Sequence, residues 1–107
     1  WIYPSGKKQS SPKFMAYAAR VGLEIGADII KIKYFGDKKG LLWAVKSAGK
    51  TKVVIAGGVK AQEKEFLKQV KEIMQAGCIG LAIGRNVWQN KNPLGIAKKI
   101  RKIILGK

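Results

Sequence analysis

The strongest constraint on this chain is an alternation that runs its whole length. A short apolar stretch meets a Gly or Pro turn and gives way to a segment with apolar residues at helical spacing, four times over. Trp1-Ile2-Tyr3 stops at Pro4-Ser5-Gly6, and Ser11-Pro12 then reads as a helix start, with Ser as N-cap and Pro at the first helical position. Phe14, Ala18, Val21 and Ile25 recur at helical spacing until Gly26. The β-branched run 28–34 predicts a strand, and a turn at Gly36-Asp37 leads to a short helix carrying Leu41, Leu42, Val45 and Ala48, closed by Gly49. Lys52-Val53-Val54-Ile55-Ala56 is a strand ending in Gly57-Gly58, followed by an amphipathic helix from Ala61 to Ala76 through Phe66, Leu67, Val70, Ile73 and Met74. Ile79-Gly80-Leu81-Ala82-Ile83 is the last strand, ended by Gly84-Arg85-Asn86, and Asn92-Pro93 opens a helix with Ile96, Ile100, Ile103 and Ile104 inside.

The order β-α-β-α-β-α-β-α, with near-continuous apolar strands, implies an α/β fold: a parallel sheet with buried strands covered by helices. Four such units in 107 residues amount to half of a (β/α)₈ TIM barrel, whose usual size is about 250 residues. The expectation is therefore a (βα)₄ half-barrel over residues 1–107. A small open α/β sandwich ranks second, because the strands are short and their ends carry the distinctive residues. A chain that opens on Trp-Ile-Tyr-Pro rather than Met is expected to be a fragment of something longer.

Composition narrows the chemistry. With no His and a single Cys (Cys78), the sequence holds no Ser-His-Asp triad, no Cys-His pair, no internal disulfide and no His- or Cys-based metal site. The expected metal is none and the expected cofactor is none, which leaves Lys, Tyr, Arg, carboxylates and backbone amides. No apolar run approaches the roughly 20 residues of a membrane span, and no leader pattern is visible, so a cytoplasmic location is expected. The net charge of +16 invites nucleic acid, anionic membranes or phosphorylated ligands. The basic runs Lys60, Lys64, Lys68, Lys71 and Lys98-Lys99-x-Arg101-Lys102 lie opposite the apolar stripes of their helices, as a solvated outer face would. No nucleic-acid-binding motif accompanies them, so a nucleic-acid partner is not expected.

In α/β folds ligands bind beyond the carboxyl ends of the strands. Lys31 and Lys33 share one face of their strand while Ile30 and Ile32 share the other. An edge strand with a solvated face explains such a pair; a Schiff-base lysine is the sharper reading, and spacing alone does not choose between the two lysines. Gly57-Gly58 and Gly84-Arg85 end the last two strands, where glycine lets backbone amides approach an anion and Arg85 adds a bidentate phosphate donor. Trp1 and Tyr3 have the same parity, and Tyr3 is a candidate acid–base.

Trp-Ile-Tyr-Pro at 1–4, Ala-Asp-Ile-Ile-Lys-Ile-Lys-Tyr at 27–34, Ala-Gly-Gly at 56–58 and Ile-Gly-Arg-Asn-Val-Trp-Gln at 83–89 resemble the archaeal-type class I fructose-bisphosphate aldolases. The resemblance covers nearly the whole chain and implies strands five to eight of that family's barrel. It implies Lys31 as the Schiff-base lysine and Tyr3 as the acid–base. Trp1 and Lys33 would shape the substrate site, and Gly57, Gly58, Gly84 and Arg85 would hold phosphate. The implied reaction is the metal-independent, reversible cleavage of fructose 1,6-bisphosphate to dihydroxyacetone phosphate and glyceraldehyde 3-phosphate, a lyase step of glycolysis and gluconeogenesis. Its partners would be a phosphorylated sugar, the missing N-terminal half-barrel and, when complete, further copies in a homo-oligomer. The sequence departs from the family pattern at Ser5, commonly Arg, at the short acid-free segment 6–12, and at Ala56, often Ser. The alternatives are a sister Schiff-base aldolase such as 2-amino-3,7-dideoxy-D-threo-hept-6-ulosonate synthase, an inactive half-barrel, or a basic nucleic-acid-binding protein.

Overall fold

The computed structural model describes residues 1–58 and 60–107. In chain order the elements are α1 (Pro12–Glu24), β1 (Ile29–Ile32), α2 (Lys38–Ser47), β2 (Lys52–Ala56), α3 (Glu63–Gln75), β3 (Gly80–Ala82), α4 (Arg85–Trp88) and α5 (Pro93–Leu105). The sheet is parallel and three-stranded, in the order β1-β2-β3. Ile30 lies opposite Val53, Lys31 opposite Val54, and Ala56 opposite Ala82.

Two expectations about the sheet need correction. Trp1-Ile2-Tyr3 is not a fourth strand: the Ile2 amide donates to the Lys31 carbonyl at 3.1 Å, and pairing stops there. Pro4, two residues on, has no N–H with which to continue a ladder. Nor are the strands buried throughout, because the helices cover one face only. Ile30, Ile32, Val53 and Ile55 are buried beneath the helices, whereas Ile29 is 57% exposed and Lys31, Val54 and Ala82 keep contact with solvent. One face is core; the other is open, and it carries the lysines.

The helices pack the core face in two clusters. The first joins α1, α2 and the end of α3 to β1 and β2 through Met15, Ala18, Ala19, Leu41, Ala44, Ala48 and Ile73; the second joins the rest of α3 to α5 through Phe66, Val70, Ile96 and Ile100. Helix α1 buries Met15, Ala16, Ala18, Ala19 and Gly22, a stripe one position away from the expected one, and Ile25 is 73% exposed. The reason is Gly22. A Cβ there would lie 2.1 Å from Ile30 Cγ2, so the bare side of this residue is the one that can rest on β1. On α2, Ala44 takes the inward place expected of Leu42, which is partly exposed.

The helix starts follow their sequence signals. Asp37 caps α2 by accepting from the Gly40 amide at 3.0 Å, after Gly36 with φ 88°, and Asn92 caps α5 by accepting from the Gly95 amide at 2.9 Å. Ser11 stands at the N-cap of α1, with Pro12 next, but its hydroxyl makes no capping bond.

Candidate active site

The site lies at the carboxyl ends of the strands, on the open face. Alternation along the stub at 1–3 turns Ile2 onto the core and leaves Trp1 and Tyr3 on the lysine side, and the bond from Ile2 to Lys31 fixes their height along β1. The Lys31 ammonium sits 3.0 Å from the centroid of the Trp1 ring, and the Lys33 ammonium lies 5.0 Å from that of Tyr3. The two rings stack with centroids 6.3 Å apart. A cation over an aromatic face is attracted by the ring quadrupole, so each aromatic holds one lysine in place. β1 is an edge strand with an open face, and solvation alone accounts for two lysines there. It does not account for their pairing with two aromatics.

The glycine ends of β2 and β3 close the far side. The Gly57 amide donates to the Ala82 carbonyl at 2.9 Å, and a Cβ on Gly57 would lie 3.1 Å from Ile83 Cα, so the two strand ends approach more closely than a side chain at 57 would ordinarily leave them. Gly84 precedes α4, a single turn that sequence reasoning read as loop. This turn carries Arg85 on the open face, buries Asn86, and brings Trp88 back over Gly84, where a Cβ would be 3.3 Å from the indole Nε1. The Asn86 side-chain oxygen accepts from the Ala61 amide at 2.8 Å, tying α4 to the segment that leads into α3.

A cavity of about 230 Å³ gathers Tyr3, Lys31, Gly57, Gly58, Gly84 and Arg85, with Ala56, Ala82 and Trp88 lining the rest. Six of the eight expected site residues thus meet at one opening. Trp1 reaches it through its contact with Lys31. Lys33 lines instead a neighbouring cavity of about 420 Å³. Trp88 was the residue missed; the signal was its place four residues after Gly84, visible only once Arg85–Trp88 is read as a helical turn.

The remaining ionisable groups lie elsewhere. Burial pushes the Cys78 thiol up to about 12, which leaves it a protonated core residue rather than a nucleophile. Burial, then a hydrogen bond to Glu72 at 2.9 Å, raises the Tyr34 phenol well above its usual value. Glu63 pairs with Lys99, whose hydrogen bond holds its carboxyl below the usual range. Among the described residues no cluster of three His, Cys, Asp or Glu is placed to hold a metal ion, and no helix is long and apolar enough to cross a membrane. An amine, a phenol, a guanidinium and glycine amides around one opening suit a ligand with both a carbonyl and a phosphate.

The chain is similar over nearly its whole length to known aldolases. Fructose-bisphosphate aldolase class 1 of Thermoproteus tenax is 48% identical over 99% of the chain, which covers 42% of that protein. The 2-amino-3,7-dideoxy-D-threo-hept-6-ulosonate synthase 1 of Archaeoglobus fulgidus is a weaker match, 38% identical over 98% of the chain and 39% of its own length. The crystal structure of an archaeal fructose 1,6-bisphosphate aldolase superposes with a TM-score of 0.94 at 48% identity, over 100% of the chain and 44% of its own. A second archaeal fructose-1,6-bisphosphate aldolase, solved with its catalytic Lys bound to the carbinolamine intermediate of the substrate, gives 0.91 at 46% identity, over 97% and 43%. The chain thus spans about two fifths of the length of the curated relatives it matches. The model of the DeoC/LacD family aldolases matches residues 1–90, the stretch that holds every residue of the cavity, and the chain belongs to that family.

Proposed function

We propose that this chain is the carboxyl-terminal half of a (β/α)₈ Schiff-base aldolase that cleaves fructose 1,6-bisphosphate, with residues 1–107 forming one half-barrel: β1 to β3 would be strands six to eight, and the stub at 1–3 would become strand five once the other half pairs with it. The observation that carries the reading is the common cavity of Lys31, Tyr3 and Arg85. The Lys31 amine attacks the C2 carbonyl, and the carbinolamine takes the proton of the Tyr3 phenol and loses water, giving a protonated imine and a Tyr3 phenolate. The C3–C4 bond then breaks, its electron pair flows to the iminium nitrogen to form an enamine, and Tyr3 takes the proton of the C4 hydroxyl. Glyceraldehyde 3-phosphate leaves. Protonation of the enamine at C3 and hydrolysis of the imine release dihydroxyacetone phosphate and restore Lys31. Arg85 and the amides beside Gly57, Gly58 and Gly84 hold one phosphate, which brings the carbonyl within reach of Lys31.

The identity to fructose-bisphosphate aldolases exceeds that to the heptulosonate synthase, 48% against 38%, and this favours the sugar bisphosphate as substrate. The open sheet face and the unpaired edges fit a complementary half-barrel as partner, and association of complete barrels belongs to the same reading. A cytoplasmic location goes with it, since a lone thiol suits a reducing compartment. The test is a coupled cleavage assay on the chain alone and mixed with the amino-terminal portion of the Thermoproteus tenax relative. Cleavage of fructose 1,6-bisphosphate by the mixture, absent with Lys31→Met, is the expected result. Transaldol activity without bisphosphate cleavage would instead assign the synthase reaction.

A further inference from the structure

Helix α4 is a single turn, yet it is tied at both ends and in the middle. The Val87 and Trp88 amides donate to the Gly84 carbonyl at 2.8 and 3.0 Å. The buried Asn86 side chain accepts from the Ala61 amide, and the Lys60 ammonium donates to the Gln89 carbonyl at 2.7 Å. Residues three apart on a helical turn are neighbours, and Arg85 and Trp88 both line the smaller cavity. The ring of Trp88 is 65% exposed, so packing against the rest of the chain explains little of its placement. Its Nε1 would lie 3.3 Å from a Cβ at Gly84, and among the described residues nothing accepts a hydrogen bond from that N–H. What stands beside this glycine is therefore a free donor and not just an apolar edge.

We propose that the Trp88 indole N–H is a binding group for the substrate phosphate, donating to an oxygen of the same anion that Arg85 and the Gly84 amide hold. A guanidinium, a backbone amide and an indole N–H offer donors only, and none of the described residues lining the cavity is a carboxylate. Such a set is the complement of an oxyanion. Arg85 supplies charge; the indole is neutral and supplies direction, and its ring keeps water from one side of the anion, where a lower local dielectric strengthens the other bonds. The proposal rests on the phosphate placement given above and adds a residue to it. It does not need Lys31 to be a nucleophile.

The test is a titration of inorganic phosphate into the ¹⁵N-labelled chain at constant ionic strength. It is followed at the indole N–H resonances of Trp1, Trp43 and Trp88, the three tryptophans of the chain, which single Trp→Phe variants assign. The expected result is a saturable downfield shift at Trp88, with the same midpoint as the Gly84 and Arg85 amides. Trp43, on α2 and outside the cavity, should stay still. Trp88→Phe keeps an aromatic ring and removes the N–H. It should weaken phosphate about three- to tenfold and leave the urea midpoint unchanged. Trp88→Leu, which removes ring and N–H together, should weaken it at least as much and serves if the Phe variant does not fold. A Trp88 indole that stays still while the Gly84 and Arg85 amides shift would overturn the proposal and leave the phosphate placement standing. So would full affinity in both variants. Gly84 and Arg85 amides that do not respond would remove the phosphate placement itself, and the proposal with it. The nucleophile assignment fails separately, on covalent trapping at Lys31.

Discussion

The ammonium of Lys31 lies 3.0 Å from the centroid of the Trp1 indole, so the proposed nucleophile rests on an aromatic ring that is itself 88% exposed. Such a contact contributes about 0.5–1 kcal/mol at an exposed site. Trp1→Leu is expected to slow imine formation at Lys31 by about two- to fivefold through loss of this positioning. The urea midpoint should stay where it was, since Trp1 buries almost nothing. Borohydride trapping rates on the two proteins check both halves.

Arg85 is the one guanidinium in the wall of the smaller cavity. Charge-assisted hydrogen bonds contribute about 1.5–3 kcal/mol, so Arg85→Gln is expected to weaken binding of dihydroxyacetone phosphate by roughly 10- to 150-fold. Calorimetry measures this directly. Unphosphorylated dihydroxyacetone should lose little, and an equal loss for both ligands would remove Arg85 from the phosphate site.

Gly22→Ala tests the packing of α1 on β1. A helical Gly-to-Ala change ordinarily gains about 1 kcal/mol, but here the added Cβ meets the buried Ile30 side chain at 2.1 Å. Overpacking costs about 1–3 kcal/mol and should win, lowering the urea midpoint. At Gly80 a Cβ meets nothing within 4 Å, so Gly80→Ala is expected to leave the midpoint unchanged or raise it.

Alkaline pH should expose two buried acids. The Cys78 thiol is raised from 9.0 to about 12 by burial, and the Tyr34 phenol is raised by burial and by Glu72. A raised folded pKa gives stability that is complete below the unfolded value and is lost as pH climbs towards the folded one. The chain should therefore lose stability from about pH 9 upward, as the unfolded thiol ionises first and the phenol follows. Cys78→Ala should flatten the first part of that loss and Tyr34→Phe the second, in urea titrations at stepped pH.

Much of this was legible in the sequence because the signals were local. Asp37, Asn92, Pro93 and the glycine strand ends each act through their own backbone or that of a near neighbour, and the structure places them as read. The misses depend on contacts between distant segments. The stripe of α1 follows Gly22 on Ile30, a relation between residues on two elements. The stub at 1–3 has strand-like residues, yet whether it pairs is decided by Pro4 and by its neighbour. Trp88 joined the site because one turn of helix folds it over Gly84, and four residues are too few for a periodic signal.

Lys31, and not Lys33, is the proposed nucleophile. The direct measurement is borohydride reduction of the chain with dihydroxyacetone phosphate, followed by peptide mass mapping. One reduced adduct is expected, on the peptide bearing Lys31, lost in Lys31→Met and kept in Lys33→Met. An adduct on Lys33, or one that survives Lys31→Met, would contradict it.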